Sequence, residues 1–359
     1  MRRELLVAGA VTVGIAGQWL LTTYVVTDDL HVASPLTALP QWAPVTLLLQ
    51  TVPVLFFASG YAHGGQARPA ASHSAASRPA ASRPAASWLP AFLLAWGVGL
   101  AVLAVNGFSL AAVRRILGPA LEPLWFVLPY LLLTAVAPWL RQVVLRYGWK
   151  AALVPGVCVV LVDLVRFTWP QFAWLGAGNA ILAWAVPFLL GLAWRQGGVN
   201  GAWLLGGGGI LAAALTAFGP YPVSMVNVPG APMSNLAPPT VALLAFACAQ
   251  CGLVALLANV RPGRRAVASK IVSDRPGGSR LAVAISGAAV PLYLWHQTAL
   301  ALVSLVTVRF GPIAGLTSPP VGPAWPVSRL AWLPLCAVTL IALVALARPR
   351  ERRLRSPKP

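Results

Sequence analysis

His296 is the first residue of interest. It stands in the run Val-Pro-Leu-Tyr-Leu-Trp-His-Gln-Thr-Ala-Leu at 290–300, and no charged residue lies between Leu281 and Val308. A neutral imidazole carries one donor and one acceptor and titrates near neutral pH. Placed in an apolar helix it is either a proton-transfer group or a hydrogen-bonded structural residue, because ionisable groups inside a membrane are costly. Gln18, in Gly14-Ile15-Ala16-Gly17-Gln18-Trp19, is a second polar group within an apolar run. Its amide can orient a substrate or bridge two helices, but it does not titrate and cannot be a general base.

The remaining candidates read as structural. Asp163 and Arg166 are three apart on one helix face, the spacing of a local ion pair. Glu122 opens an apolar segment, where an acid suits the helix dipole. Cys248 and Cys251 form a C-x-x-C inside an apolar helix with no further ligands nearby, so core packing is a better reading than metal or redox work. His31 and His73 fall in loops, and His63 ends an apolar segment. No Walker loop, G-x-S-x-G or H-E-x-x-H motif occurs. No metal site is expected.

The elements that must position these groups are transmembrane helices. Of 359 residues, 58% are hydrophobic and 9% charged, against about 25% charged in a soluble domain. Such a chain is too apolar to be disordered. Four cysteines, all within apolar stretches, do not make a disulfide scaffold. A bilayer core needs about 20 apolar residues per helix. Ten segments meet or approach that, at 5–26, 43–63, 88–108, 119–140, 150–169, 178–195, 202–219, 237–260, 281–308 and 329–348. They are continuous runs rather than alternating strands, so the expected class is all-α and polytopic.

The net charge of +19 raises nucleic acid as a partner, but the placement of the cations excludes it. With Arg2 and Arg3 on one side, alternate loops place 21 of the 26 Lys and Arg on that same side. That is the positive-inside pattern, with both termini cytoplasmic. Residues 64–87 carry Arg-Pro-Ala-Ala-Ser at 68–72, 78–82 and 83–87. They read as a low-complexity cytoplasmic linker near anionic headgroups. Residues 349–359 form a basic tail after the 1–348 membrane domain. The 65 residues from Gln196 to Val260 hold no charge. The Pro-, Gly- and Asn-rich stretch 219–239 divides them and is expected to fold back onto the bundle.

Val52-Pro53-Val54-Leu55-Phe56-Phe57-Ala58-Ser59-Gly60-Tyr61 resembles the second-helix signature of bacterial acyltransferase family 3, the membrane acyl-CoA-dependent O-acyltransferases. Pro291-Leu292-Tyr293-Leu294-Trp295-His296-Gln297 is similar to that family's late-helix motif. The segments Tyr221–Met225 and Ser234–Thr240 resemble the loop of an actinobacterial branch. The resemblance runs from about Leu5 to Arg348. It implies transfer of an acyl group from acyl-CoA, as co-substrate and with no resident cofactor, to a hydroxyl of an envelope glycan or small secreted molecule. It further implies residence in the bacterial plasma membrane.

On that resemblance His296 is the acid/base and Gln18 an orienting partner. Tyr293 and Ser59 are pocket residues, Asn235 a substrate contact in the outer loop, and Arg68 a donor contact. Two places depart from the pattern. The family's first-helix Gly-His reads Gly17-Gln18 here, and its Arg-x-x-Arg is replaced by the repeats, with Arg68 the nearest arginine. A catalytically degenerate binding or assembly subunit, or a small-molecule transporter, is therefore the alternative. A transporter would more often show repeated halves with broken helices, and no such repeat is visible.

Overall fold

In the computed structural model, residues 3–26, 30–65, 85–107, 109–259, 278–307 and 310–348 are described. Among them nine helical segments are long and apolar enough to cross a membrane. These are Arg3–Leu21, Pro40–Gly64, Ala86–Val105, Leu110–Ala135, Ala137–Thr168, Pro170–Arg195, Gly201–Phe218, Val241–Ala258 and Ala289–Thr307. A pair bent by 41°, Ala324–Leu330 with Leu333–Leu346, makes up to a tenth. The all-α, polytopic expectation holds.

The boundaries differ where polar residues hide helix or where β-branched residues end it. The first helix, α1 (Arg3–Leu21), stops five residues short of the expected end. Thr23–Val26 is instead a strand, β1, paired antiparallel with β2 (Leu30–Ala33) in the register Thr23↔Ala33 to Val26↔Leu30. Thr, Tyr and Val favour the pleated strand, and Tyr24 and Val25 are fully buried there.

The expected span 119–140 is displaced toward the N-terminus. Helix α6 (Leu110–Leu121) begins at Ser109, whose hydroxyl accepts from the Ala112 amide at 3.2 Å. It continues past Glu122 and Pro123 into α7 (Leu124–Ala135). Arg114 and Arg115 had hidden this helix, because it is amphipathic rather than uniformly apolar. Helix α8 (Ala137–Tyr147) then joins α9 (Leu153–Thr168) within the next segment. Near the C-terminal end, the expected 281–308 is two helices, α13 (Gly278–Gly287) and α14 (Ala289–Thr307).

The centre of the bundle is the crossing of α4 (Val52–Gly64) with α10 (Asn179–Arg195). A Cβ on Gly60 would strike the Phe188 carbonyl, and one on Gly191 would strike the Phe57 carbonyl. Small residues permit this backbone approach, the usual basis of helix association in lipid. Phe56 stacks on Trp184 beside it, with centroids 5.3 Å apart. The crossing fixes α4, and with it Thr51 and Ser59.

The loop between α11 (Gly201–Phe218) and α12 (Val241–Asn259) lies against the bundle. Met225 is buried; its amide donates to the Thr46 hydroxyl at 2.9 Å, and its carbonyl accepts from Gln50 at 3.3 Å. Asp163 on α9 fastens the same loop. It accepts from the Tyr221 hydroxyl at 3.0 Å, the Val241 amide at 2.8 Å and Asn179 at 3.3 Å, and pairs with Arg166 at 3.3 Å. The pair read from the sequence is thus one edge of a four-element junction. Burial, then the adjacent Asp163 charge, push the Tyr221 phenol above its ordinary range, so it remains a donor.

Candidate active site

His296 lies on α14 and is 3% exposed. Its Nδ1 is 2.7 Å from the Tyr293 carbonyl, one turn back. A carbonyl only accepts, so this contact assigns the ring proton to Nδ1 and leaves the lone pair on Nε2. Nε2 is buried and meets no hydrogen-bond partner among the described residues. In this tautomer Nε2 is an acceptor on a ring held in one orientation.

Two contacts hold α14 against α1. The Trp19 indole donates to the His296 carbonyl at 2.9 Å. One turn and more below, the Tyr293 hydroxyl bonds Thr51, whose own hydroxyl donates to the Ala10 carbonyl at 2.6 Å. Both hydroxyls press against Gly14, where a Cβ would collide with the Tyr293 oxygen and lie 2.6 Å from the Thr51 hydroxyl.

The far end of α1 is held by Arg329 on α15 (Ala324–Leu330), a residue that the sequence alone does not single out. It is fully buried. Its guanidinium donates to the carbonyls of Trp19 at 2.8 Å, Gly315 at 3.0 Å and Thr22 at 2.6 Å. A cation at a helix C-terminus satisfies the orphan carbonyls and complements the dipole. Arg329 thereby sets the turn that carries Gln18 and Trp19.

Two cavities lie along α1, one near its start at Arg3 and Val7 and one at the turn of Gln18. The inner one, about 80 Å³, is lined by Arg3, Phe56, Ser59, Phe126 and Tyr293 among others. Ser59 is buried, and its hydroxyl has no partner among the described residues. The outer one, about 470 Å³, opens where the β-hairpin and the 219–240 loop meet α6. Gln18, His31, Arg114, Arg115, Glu122 and Trp125 line part of it. Phe126 borders both cavities.

The candidates from the sequence are therefore divided. Ser59 and Tyr293 share the inner cavity, and Gln18 lies in the outer one. His296 is tied to both sides, through Tyr293 on its own helix and through Trp19 beside Gln18, but lines neither. Asn235 is spent on the loop itself: its amide donates to Pro222 at 2.6 Å and Ser224 at 3.0 Å and accepts from Thr240 at 2.8 Å. Its neighbours Leu236 and Ala237 reach the outer cavity instead. Arg68 lies outside the described residues. Glu122 caps the end of α6 and lines the outer cavity, rather than merely opening a helix. His31, read from the sequence as a loop residue, and Arg114 and Arg115, which the sequence did not single out, also line this cavity. The signal for the arginines was the Ser109 cap followed by the apolar spacing Ala112, Val113, Ile116, Ala120, which turns the opposite face inward to the cavity.

These features define a multi-pass membrane protein with a buried, oriented histidine. A family model described as an acyltransferase domain matches residues 18–348, and the chain belongs to acyltransferase family 3. No curated protein and no solved structure matched the chain. The family and the many apolar helices together support a membrane acyltransferase.

Proposed function

We propose that the protein transfers an acyl group from cytoplasmic acyl-CoA to a hydroxyl of an envelope glycan or a small secreted molecule. The observation that carries this reading is the pinned His296, with Nδ1 held on the Tyr293 carbonyl and Nε2 buried without a hydrogen-bond partner among the described residues. Nε2 takes the acceptor hydroxyl proton as that oxygen attacks the thioester carbonyl. The tetrahedral intermediate then collapses, the carbon–sulfur bond breaks, and the CoA thiolate recovers the proton from the imidazolium. The inner cavity, with Ser59 and Tyr293, receives the acyl donor. The outer cavity receives the acceptor, which Gln18 orients through its amide. Arg68 is assigned to the CoA phosphates. The donor and acceptor are co-substrates, and the reading requires no resident cofactor.

The arginine bias supports a plasma-membrane protein of a bacterium with both termini cytoplasmic. Cysteine placed at Gly230 should react with an impermeant maleimide from outside intact cells, and cysteine at Lys150 should not. The opposite result overturns the orientation.

The resemblance read from the sequence favours a second reading: on it Gln18 takes the place of the family's first-helix histidine, and the chain is then a non-catalytic binding or assembly subunit. Acyl-CoA hydrolysis by the purified protein separates the two. Turnover abolished by His296→Ala supports the enzyme. An inert wild type that gains slow turnover with Gln18→His supports the relic.

A further inference from the structure

We propose that a third cavity takes the alkyl chain of a long-chain acyl donor and sets the chain length that the protein accepts. This rests on the acyltransferase reading, with the thiol end of the donor in the inner cavity. The third cavity, about 530 Å³, lies between α5 (Leu89–Val105), α14 and α16 (Leu333–Leu346). That is within the size of a small-molecule site. The inner cavity, about 80 Å³, is below that range, so a long acyl chain needs room elsewhere.

The third cavity exists because α5 leans on the bundle by one half only. Phe92 and Trp96 are its buried residues. Phe92 meets the Trp295 ring edge-on, with centroids 5.3 Å apart, and the Trp96 indole donates to the Thr298 hydroxyl at 3.0 Å. Beyond Trp96 no residue of α5 is buried. There Gly99, Val102 and Leu103 of α5 line the gap with Ala301, Leu302 and Leu305 of α14. The lining runs from Ala95 to Asn106 on α5 and its C-cap, and from Trp295 to Val306 on α14. At 1.5 Å per residue each run is about 16 Å long, about half of a hydrocarbon core of about 30 Å. A long, apolar slot of this kind suits an extended alkyl chain, whose burial is favourable along its whole length.

Two features place the carbonyl end of that chain beside the base. In helical projection, at about 100° per residue, His296 falls on the shorter arc between Tyr293, which lines the inner cavity, and Trp295, which lines the third. Trp295 is 3% exposed, and its indole N–H has no hydrogen-bond partner among the described residues. A buried donor left unpaired is costly, and native structures hold few of them. A thioester carbonyl oxygen at this end of the slot supplies the missing acceptor, next to His296, while the chain runs on toward Asn106.

Release of CoA by the purified full-length protein is followed with acetyl-, octanoyl- and palmitoyl-CoA. Palmitoyl-CoA should show a kcat/KM at least about tenfold above that of acetyl-CoA. Gly99→Leu fills the slot. A Cβ at Gly99 meets Trp96 at 3.9 Å, an ordinary contact, so the side chain has room. This variant should erase the preference for palmitoyl-CoA. Leu302→Phe, at an exposed position of the lining, gives the same reading if Gly99→Leu fails to fold. Gly97→Leu, on the same helix with nothing within 4 Å and outside the lining, should keep the wild-type preference, which removes helix propensity as a cause. Trp295→Phe removes the donor and should lower kcat with all three thioesters. Turnover without a chain preference, a preference unchanged in both filling variants, or an unaltered kcat in Trp295→Phe overturns the proposal and leaves the acyltransferase reading standing. No turnover with any thioester refutes both. A phospholipid retained by wild type and lost in Gly99→Leu on native mass spectrometry, with no chain preference in turnover, overturns the proposal in favour of a bilayer lipid.

Discussion

The indole of Trp19 donates to the backbone carbonyl of His296 across 277 positions of sequence, at 2.9 Å. This bond ties the turn holding Gln18 to the turn holding the histidine. It engages only the backbone carbonyl; the orientation of the imidazole is set separately, by the Nδ1 contact with the Tyr293 carbonyl. Trp19→Phe keeps an aromatic ring, though a smaller one, and removes the donor. The change should cost roughly 1 kcal/mol of stability and lower kcat more than it raises the donor KM, because the base is displaced rather than removed. Steady-state kinetics alongside thermal unfolding would check this; unchanged kcat would show that the bond positions nothing.

His296→Ala should abolish acyl transfer while the protein still inserts. A positioned base is worth about a hundred- to ten-thousand-fold in rate. Gln18→Ala should cost less, since only an orienting amide is lost. Product formation in membranes, with expression followed by blot, reads both. Full activity in His296→Ala would transfer the role of base to another group, with His63 and Asp163 the first to be tried.

Arg329→Met should destabilise the protein by about 3 kcal/mol or more. Three buried carbonyls, at Trp19, Thr22 and Gly315, would lose a charged donor at once. Arg329→Lys should recover only part, because an ammonium cannot span the same three acceptors. Urea or thermal melts in detergent give the comparison. Equal stability of wild type and the Met variant would refute the capping role.

Phe126 borders both cavities, so Phe126→Ala should join them. Acyl-CoA hydrolysis without acceptor should rise relative to acyl transfer, since water gains a path to the thioester. A larger ring, Phe126→Trp, should suppress both reactions. Release of free CoA, followed with and without acceptor, distinguishes these outcomes. Unchanged partition in both variants would mean that the two cavities do not meet at this ring.

The junction at Asp163 has an alkaline limit. The Tyr221 phenol is raised by burial and by the Asp163 charge, so the folded state favours its protonated form. A raised folded pKa contributes stability that is complete below the unfolded value, about 10, and is lost as pH climbs beyond it. Melting temperature should therefore fall from about pH 10 upward. Tyr221→Phe should start lower at neutral pH and fall less steeply. Parallel pH curves for the two proteins would remove Tyr221 as the cause.

Much of the architecture is legible in one dimension. The length of an apolar run is a local property, and lipid admits few backbones other than helices. About ten spans, the burial of His296 and the pairing of Asp163 with Arg166 follow from that alone. The rest depended on partners distant in sequence. Arg329 looks like an outer-loop cation until α15 brings it to carbonyls 310 residues earlier. Arg114 and Arg115 look like an interruption until the buried face of α6 turns them toward a cavity that β2 and the 219–240 loop complete. Asn235 looks like a substrate contact, yet its hydrogen-bonding capacity is used by Pro222, Ser224 and Thr240. Residue type determines what each group can donate, accept or titrate. Which partner it meets is decided by how the helices cross, because satisfying buried polar groups is a property of the whole packing.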